Sequence, residues 1–301
     1  MNVVSFYRFL DLAEPGSFSD ALRAACKEQG LLGTILVAEE GFNGTLAGSD
    51  AAIMNVFGWI ESRLSLDTRV EGRWTVATEA PFRHLRVRCK KEIVALGRPD
   101  VLPHRRTGTH VPPAEWNALI DDPDVLVIDT RNHYEVEVGT FPGAIDPGTD
   151  SFREFPEFAA ELARSSRDRP LAMFCTGGIR CEKATALMLE LGFTDVYHLQ
   201  GGVLSYLQEI PPGQNRWNGE CFVFDTRVAV DRDLAEGGYV QCHACRRPLS
   251  SEDITSADYR EGVYCPHCIN QLDADRAVRL EERRKQVALA AERGARHIGP
   301  K

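Results

Sequence analysis

A cysteine at position 175 opens a glycine-rich segment that joins an apolar run to a helical pattern. The segment reads Cys-Thr-Gly-Gly-Ile-Arg-Cys from Cys175 to Cys181. Two adjacent glycines let successive backbone N–H groups converge on one point, which forms an anion-binding nest at the start of a helix. That position and the positive charge of Arg180 favour the thiolate, the nucleophilic form of cysteine. The pattern predicts catalytic residues Cys175 and Arg180, with Thr176, Gly177, Gly178 and Ile179 completing the active loop.

Two other interpretations of these cysteines have to be weighed. An isolated cysteine beside a tight turn is more often a buried structural residue, but the strand, glycine pair, arginine and helix occur together here, which favours a reactive thiol. Cys181 follows directly after Arg180. It could act as a second, resolving thiol, or it could be a small side chain packed beneath the loop.

A second cysteine cluster lies nearer the C-terminus. Cys242 and Cys245 form one Cys-x-x-Cys pair, and Cys265 and Cys268 form another after nineteen intervening residues. Each pair can present two thiolates to one tetrahedral ion, and four thiol ligands leave no open position for catalysis. The spacing predicts a structural zinc site, the alternative being four thiols without metal.

Charge is distributed unevenly along the chain. The net charge is −9, whereas residues 113–214 hold 17 acids and 7 bases, a net of −10, and residues 82–106 hold 8 bases and 2 acids, a net of +6. An overall acidic chain does not coat nucleic acid by bulk attraction, so an anionic partner must bind locally. Either a solvated face or RNA phosphate contacts would explain the basic residues, and the candidate contacts are Arg83, Arg86, Arg88, Arg105 and Arg106.

Hydrophobic periodicity and turn residues predict an α/β chain with several parts. Residues 1–96 have a β-α-β-β-α-β order typical of a ferredoxin-like α+β domain, with Ser17 capping the first helix, a turn at residues 41–44 and a last strand at residues 82–89. Residues 97–112 have linker composition. Residues 113–214 alternate buried strands with helices, which predicts a parallel sheet. Residues 215–270 form the zinc-binding module, and residues 271–301 a basic helical tail.

Composition also narrows the class of protein. Hydrophobic residues make up 43% of the chain and charged residues 26%, which is typical of globular proteins. The sequence has neither an apolar run long enough to cross a membrane nor a secretory signal. Nine cysteines, an odd number, suit metal ligands and reactive thiols in a reducing compartment. We therefore expect a cytoplasmic protein without membrane partners.

The loop and its surroundings resemble the rhodanese superfamily. The six residues from Cys175 to Arg180 match the active loop of its sulfurtransferases, whereas related phosphatases usually carry a longer loop. Asp129-Thr130-Arg131, Gly139 and residues 198–203 match further family segments. The resemblance implies a rhodanese-like fold and gives Asp129 and Arg131 supporting roles. Thr140 departs from the pattern, since many members have histidine there.

Further segments resemble the bacterial tRNA uridine hydroxylase family over nearly the whole chain. They are residues 40–45, 91–94, 175–184 and 219–225. This resemblance implies oxygen-dependent 5-hydroxylation of the wobble uridine, position 34, in the anticodon loop of tRNA. No organic-cofactor fingerprint or iron-binding triad is evident, so Cys175 would act as a covalent nucleophile or through an oxidised sulfur species. The alternatives are a thiosulfate or persulfide sulfurtransferase and a non-catalytic binding module. The sequence identifies no protein partner.

Overall fold

The structure is a computed structural model that describes residues 1–77, 81–225 and 227–294. The chain forms two compact units, each built from several segments. The first comprises Met1–His110, Ser151–Met173 and Gly178–His198, and the second comprises Val111–Asp150, Phe174–Gly177 and the chain from Leu199 onward. None of the helices within the described ranges is long and apolar enough to cross a membrane.

The N-terminal part consists of one sheet and two helices. Its elements are β1 (Asn2–Phe9), α1 (Pro15–Glu28), β2 (Leu32–Ala38), β3 (Gly41–Gly48), α2 (Asp50–Leu64), β4 (Gly72–Val76) and β5 (Leu85–Cys89). The strand order is β4-β1-β3-β2-β5, and only the β2–β5 pair is parallel among these four pairings. Alternate strand residues such as Val4 and Phe6 point to one face and pack against Leu22, Ile53 and Phe57 of the helices.

The predicted ferredoxin-like arrangement is confirmed, but one strand was missed. The sequence placed the last strand at residues 82–89, whereas Gly72–Val76 is the fourth strand and Leu85–Cys89 an additional edge strand parallel to β2. Strand β4 has no buried residue, so it lacks the alternation that identifies a strand from sequence.

Two local predictions in this part were wrong. Ser17 does not cap α1, because the helix already begins at Pro15 and the Ser17 hydroxyl donates to the Glu14 carbonyl at 3.1 Å. Residues 41–44 are not a turn but the start of β3, and the turn lies at residues 39–40. Gly41 has φ +129°, and a Cβ there would lie 2.0 Å from the Arg8 carbonyl oxygen. The close approach of the neighbouring strand therefore leaves no room for a side chain at position 41, which explains why glycine occupies it.

The middle of the chain alternates strands and helices. Its elements are β6 (Thr109–Val111), α3 (Pro113–Ile120), β7 (Leu126–Asp129), α4 (His133–Val136), β8 (Gly139–Thr140), α5 (Phe155–Ser166), β9 (Leu171–Phe174), α6 (Ile179–Glu190), β10 (Val196–Leu199) and α7 (Gly202–Glu209). The sheet order is β6-β10-β9-β7, with β9 and β10 parallel. The predicted parallel-sheet fold is confirmed, and the segment expected to be a linker supplies the edge strand β6.

Short hairpins and one long helix form the C-terminal part. Its elements are β11 (Asn218–Gly219), β12 (Cys221–Phe222), β13 (Ala229–Val230), β14 (Val240–Gln241), β15 (Pro248–Leu249), α8 (Ser251–Thr255) and α9 (Ala274–Glu292). The Asp273 side chain caps α9 by accepting a hydrogen bond from the Arg276 amide at 2.7 Å. The Arg276 guanidinium donates to the Ala244 carbonyl at 2.6 Å, so the helical tail is joined to the cysteine-rich segment. Residues 295–301 of the predicted tail lie outside the described residues.

Candidate active site

The loop after β9 has the strand–turn–helix form expected from its glycines. Strand β9 is buried along its whole length and ends at Phe174, and α6 begins at Ile179. Gly178 occupies the position before the helix with φ +94°, a conformation that glycine adopts without strain. The tight turn therefore places Cys175 between the end of a strand and the start of a helix.

Glycine at position 202 fixes the path of this loop. The amides of Val203 and Leu204 donate to the carbonyls of Cys175 and Thr176 at 2.9 and 3.1 Å. A Cβ at Gly202, which has φ +69°, would lie 2.4 Å from the Cys175 carbonyl oxygen. Because the C=O and the following N–H of a trans peptide point in opposite directions, the amides of Thr176 and Gly177 face away from α7. These two amides therefore point to the side of the loop opposite α7.

The predicted catalytic side chains are largely withdrawn from solvent. Cys175 is 0% exposed and Arg180, in the first turn of α6, is 7% exposed. Cys181 is also 0% exposed, and its carbonyl accepts a hydrogen bond from the Thr185 hydroxyl at 2.7 Å. A substrate can therefore reach Cys175 only after groups that cover it have moved.

Asp129 and Arg131 form a fully buried ion pair. The Arg131 guanidinium donates to both Asp129 carboxylate oxygens, at 2.8 and 2.6 Å, and to the carbonyls of Glu135 and Gly139. It also lies 4.9 Å from the centre of the Trp217 ring. The Thr140 hydroxyl, at the position where the family pattern differs, donates to Asp129 at 2.9 Å. These contacts hold the end of β7 in place, consistent with supporting roles.

A buried lysine joins α6 to the N-terminal segments. Lys183 Nζ lies 2.7 Å from a Glu40 carboxylate oxygen and 2.6 Å from a Glu92 oxygen. The three side chains are 0%, 3% and 7% exposed. The Ile93 amide also donates to Glu40, at 2.6 Å, and the Gly97 amide donates to Glu92, at 3.0 Å. The residues that carry the family resemblance in three separate segments thus form one ion cluster.

A cluster that sequence analysis missed includes Glu182, the residue before this lysine. His110 of β6, Glu182 of α6 and His198 of β10 have ligand atoms within 4.8 Å of one another. The His110 Nε2–Glu182 Oε1 distance is 2.9 Å, and the His110 and His198 ring centres are 4.1 Å apart. These residues are far apart in sequence and have no motif spacing, so the sequence offered no signal for the group.

The four C-terminal cysteines come together as their spacing predicted. The Sγ–Sγ distances are 3.9 Å for Cys242–Cys268 and 3.7 Å for both Cys245–Cys265 and Cys265–Cys268. Four ligands around a tetrahedral zinc with Zn–S bonds of about 2.3 Å would be separated by about 3.8 Å. The hydrogen bond from Cys245 lowers the pKa of Cys242 to about 4, whereas burial raises the pKa of Cys265 to about 12. The cluster could therefore hold a metal ion, which would stabilise all four thiolates.

The five arginines suggested as phosphate contacts are exposed. Arg86 and Arg88 flank the buried Val87 on β5, so their side chains share the solvent-facing side of the edge strand. Arg105 lies 4.0 Å from Asp11. Exposure is compatible with phosphate binding but does not identify a ligand, and the RNA contacts stay a prediction.

Comparisons with known proteins match these parts of the chain. Residues 1–93 match the model of the UPF0176 acylphosphatase like domain, and residues 112–209 match the rhodanese-like domain. The protein named tRNA uridine(34) hydroxylase from Mesorhizobium japonicum is 50% identical over 301 residues, covering 99% of this chain and 97% of the relative. Proteins of the same name from Teredinibacter turnerae and Rhizobium etli are each 48% identical over 297 residues, covering 99% of this chain and 92% and 96% of the relatives. The chain therefore belongs to the tRNA uridine(34) hydroxylase family.

Proposed function

We propose that this protein hydroxylates C5 of uridine 34 in tRNA, with Cys175 as the reacting thiol and molecular oxygen as co-substrate. The observation that carries the proposal is the 48–50% identity over 99% of the chain to relatives named for this reaction. The intact loop of Cys175 and Arg180 supports an enzyme over a binding module, because only catalysis requires the nucleophile.

Burial of Cys175 supports a proposal about the form of RNA that the protein accepts. The groups that cover the sulfur must move to admit any base, and an unpaired base of the anticodon loop can be turned outward into the opened site, whereas a base within a closed stack cannot. We propose that uridine 34 enters the loop in this way, in the cytoplasm. The exposed arginines of β5 and the segment before β6 would then bind the phosphates of the anticodon stem.

Two chemical routes are compatible with the loop. In the first, the Cys175 thiolate adds to C6 of the pyrimidine ring and increases the electron density at C5; one atom of O₂ is inserted there, the other is reduced to water by two electrons from a cellular reductant, and the thiolate leaves as C5 loses its proton. In the second, O₂ and the same reductant convert the Cys175 thiol to a sulfenic acid and water, and the sulfenic acid transfers its oxygen to C5 in exchange for the C5 proton, which regenerates the thiol. The amides of Thr176 and Gly177 and the cation of Arg180 would stabilise negative charge on the sulfur in both routes.

We propose that the four-cysteine cluster binds zinc and has a structural role. The Sγ–Sγ distances suit Zn²⁺, and thiolate ligands at all four positions exclude substrate from the ion.

The boundaries expected from sequence, with parts at 1–96, 113–214, 215–270 and 271–301, are proposed as the domain organisation.

The function can be tested by analysing tRNA nucleosides from cells that lack the protein. Expression of the wild-type chain should restore 5-hydroxyuridine and its derivatives, and growth under ¹⁸O₂ should label the 5-oxygen. Cys175→Ser should not restore them. Cys26→Ser is the matched control, since Cys26 is equally buried but burial raises its pKa to about 12, which keeps the thiol protonated. Loss of a thiolated nucleoside instead of the 5-oxygen derivatives would favour the sulfurtransferase.

A further inference from the structure

The group formed by His110, Glu182 and His198 has no role in the function proposed above. Two imidazoles and one carboxylate are the side chains that non-haem iron(II) sites use, with the remaining coordination positions open. We propose that these three residues bind a divalent first-row transition metal, and that iron(II) is the ion this ligand set suits best.

The positions of the three residues fit one ion. The histidines stand on neighbouring strands, β6 and β10, and the carboxylate projects from the first turn of α6. Ligands at about 2.1 Å from a metal lie about 3 Å from their neighbours. His110 and Glu182 are already 2.9 Å apart, and no pair of ligand atoms exceeds 4.8 Å. Side-chain shifts of about 2 Å or less would close the site.

His198 is the most deeply buried member of this group. It is 1% exposed, and neither of its ring nitrogens has hydrogen-bond geometry to any group in the described part of the chain. The Gly108 backbone lies near the ring, but the contact does not meet hydrogen-bond geometry. A buried polar group without a hydrogen bond is destabilising, and coordination to a metal ion would satisfy it.

Hydrogen bonds to both carboxylate oxygens hold Glu182 in place. The Tyr7 hydroxyl donates to the Glu182 oxygen that faces His110, at 3.3 Å, and the Thr107 hydroxyl donates to the other oxygen at 3.1 Å. Hydrogen bonds of this kind orient carboxylate ligands in metal sites.

Metal binding itself does not depend on the proposed function, because it can be measured without tRNA. The full chain, with its cysteine cluster left loaded, is titrated with Mn²⁺, which prefers nitrogen and oxygen ligands to thiolates. Electron paramagnetic resonance should show about one bound Mn²⁺ per chain, and electron spin echo modulation should show coupling to imidazole nitrogen. The same protein should bind Fe²⁺ under anaerobic conditions in competition with Mn²⁺.

A pair of matched variants makes the test specific. His110→Gln removes a ligand whose side chain is 44% exposed, so the fold should persist, and Mn²⁺ affinity should fall about 100-fold or more. His133→Gln is the control. The His133 side chain is 45% exposed and hydrogen-bonds to Asp146 at 2.6 Å, but it lies outside the proposed site, so the Mn²⁺ affinity of this variant should equal that of the wild type. Tyr7→Phe should weaken binding by about tenfold. Wild-type protein that binds neither ion, or a His110→Gln variant that binds as tightly as the wild type, would overturn the proposal.

Discussion

Replacing Lys183 with methionine should be among the most damaging single changes in this chain. Methionine fills a similar volume, so the packing around α6 is kept while the charge is removed. Among the described residues, Glu40 and Glu92 then retain one backbone donor each, from Ile93 and Gly97. The net charge of the cluster changes from −1 with the lysine to −2 without it. Removing one partner of a buried ion pair costs about 3–5 kcal/mol.

Hydrogen exchange measures this loss where it occurs. A decrease of about 3–5 kcal/mol in local stability should accelerate amide exchange in α6 roughly a hundredfold to a few thousandfold. Lys91→Met is the matched control, because Lys91 is exposed and adjacent to Glu92, and its change should be within about 0.5 kcal/mol. Combining Lys183→Met with Glu40→Gln and Glu92→Gln should recover most of the loss, because no uncompensated charge then remains.

The pH dependence of the Lys183→Met protein gives an independent check. Burial raises the pKa of Glu40 even with the lysine present. A carboxyl whose pKa is higher in the folded protein than in the unfolded chain takes up a proton on folding, so its destabilising effect fades as pH falls. The Lys183→Met protein should therefore become more stable from pH 7 toward the ordinary carboxyl value of about 4.3. If its stability stays within about 1 kcal/mol of Lys91→Met at pH 7, the carboxylates are not buried charges, and the reasoning is wrong.

Three further predictions concern the other sites. Cys245→Ser should lose the metal measured by elemental analysis and increase proteolysis first in the C-terminal part, whereas Cys26→Ser should keep its metal; unchanged metal content would contradict a four-thiol site. A double Arg86→Glu, Arg88→Glu protein should bind tRNA more weakly and with a shallower dependence on salt, and wild-type values of both would exclude these arginines as phosphate contacts. Because Cys175 is fully buried, methyl methanethiosulfonate should modify it much faster than a bulky aromatic disulfide, and equal rates would show that the sulfur is open to solvent.

Local patterns predicted the parts of this molecule that are built from neighbouring residues. The turn from Cys175 to Arg180 and the two Cys-x-x-Cys pairs each require a short spacing, and the structure forms both. Strand β9 was recognisable because every residue in it is apolar and buried. Residues 41–44 misled the prediction because their glycines serve strand contacts, not a turn.

Features made from distant segments could not be derived in this way. Lys183 meets Glu40 across 143 positions of sequence, and His110 meets Glu182 across 72. Neither pair has a spacing that a helix or strand would impose, so only the folded chain brings them together. The resemblance to a family identified the segments that contain Glu40, Glu92 and Lys183 without indicating that they touch.

The Lys183 cluster is relevant to whether the rhodanese-like segment can fold without the rest of the chain. Its similarity to known domains covers residues 112–209, yet the first compact unit combines Gly178–His198 with the whole of Met1–His110. A fragment cut at residue 112 would carry Lys183 without either counter-ion and would lack His110. The bounds of the match to a domain model therefore do not define a part of this chain that folds independently. Fusion or truncation designs should keep residues 1–110 with α6.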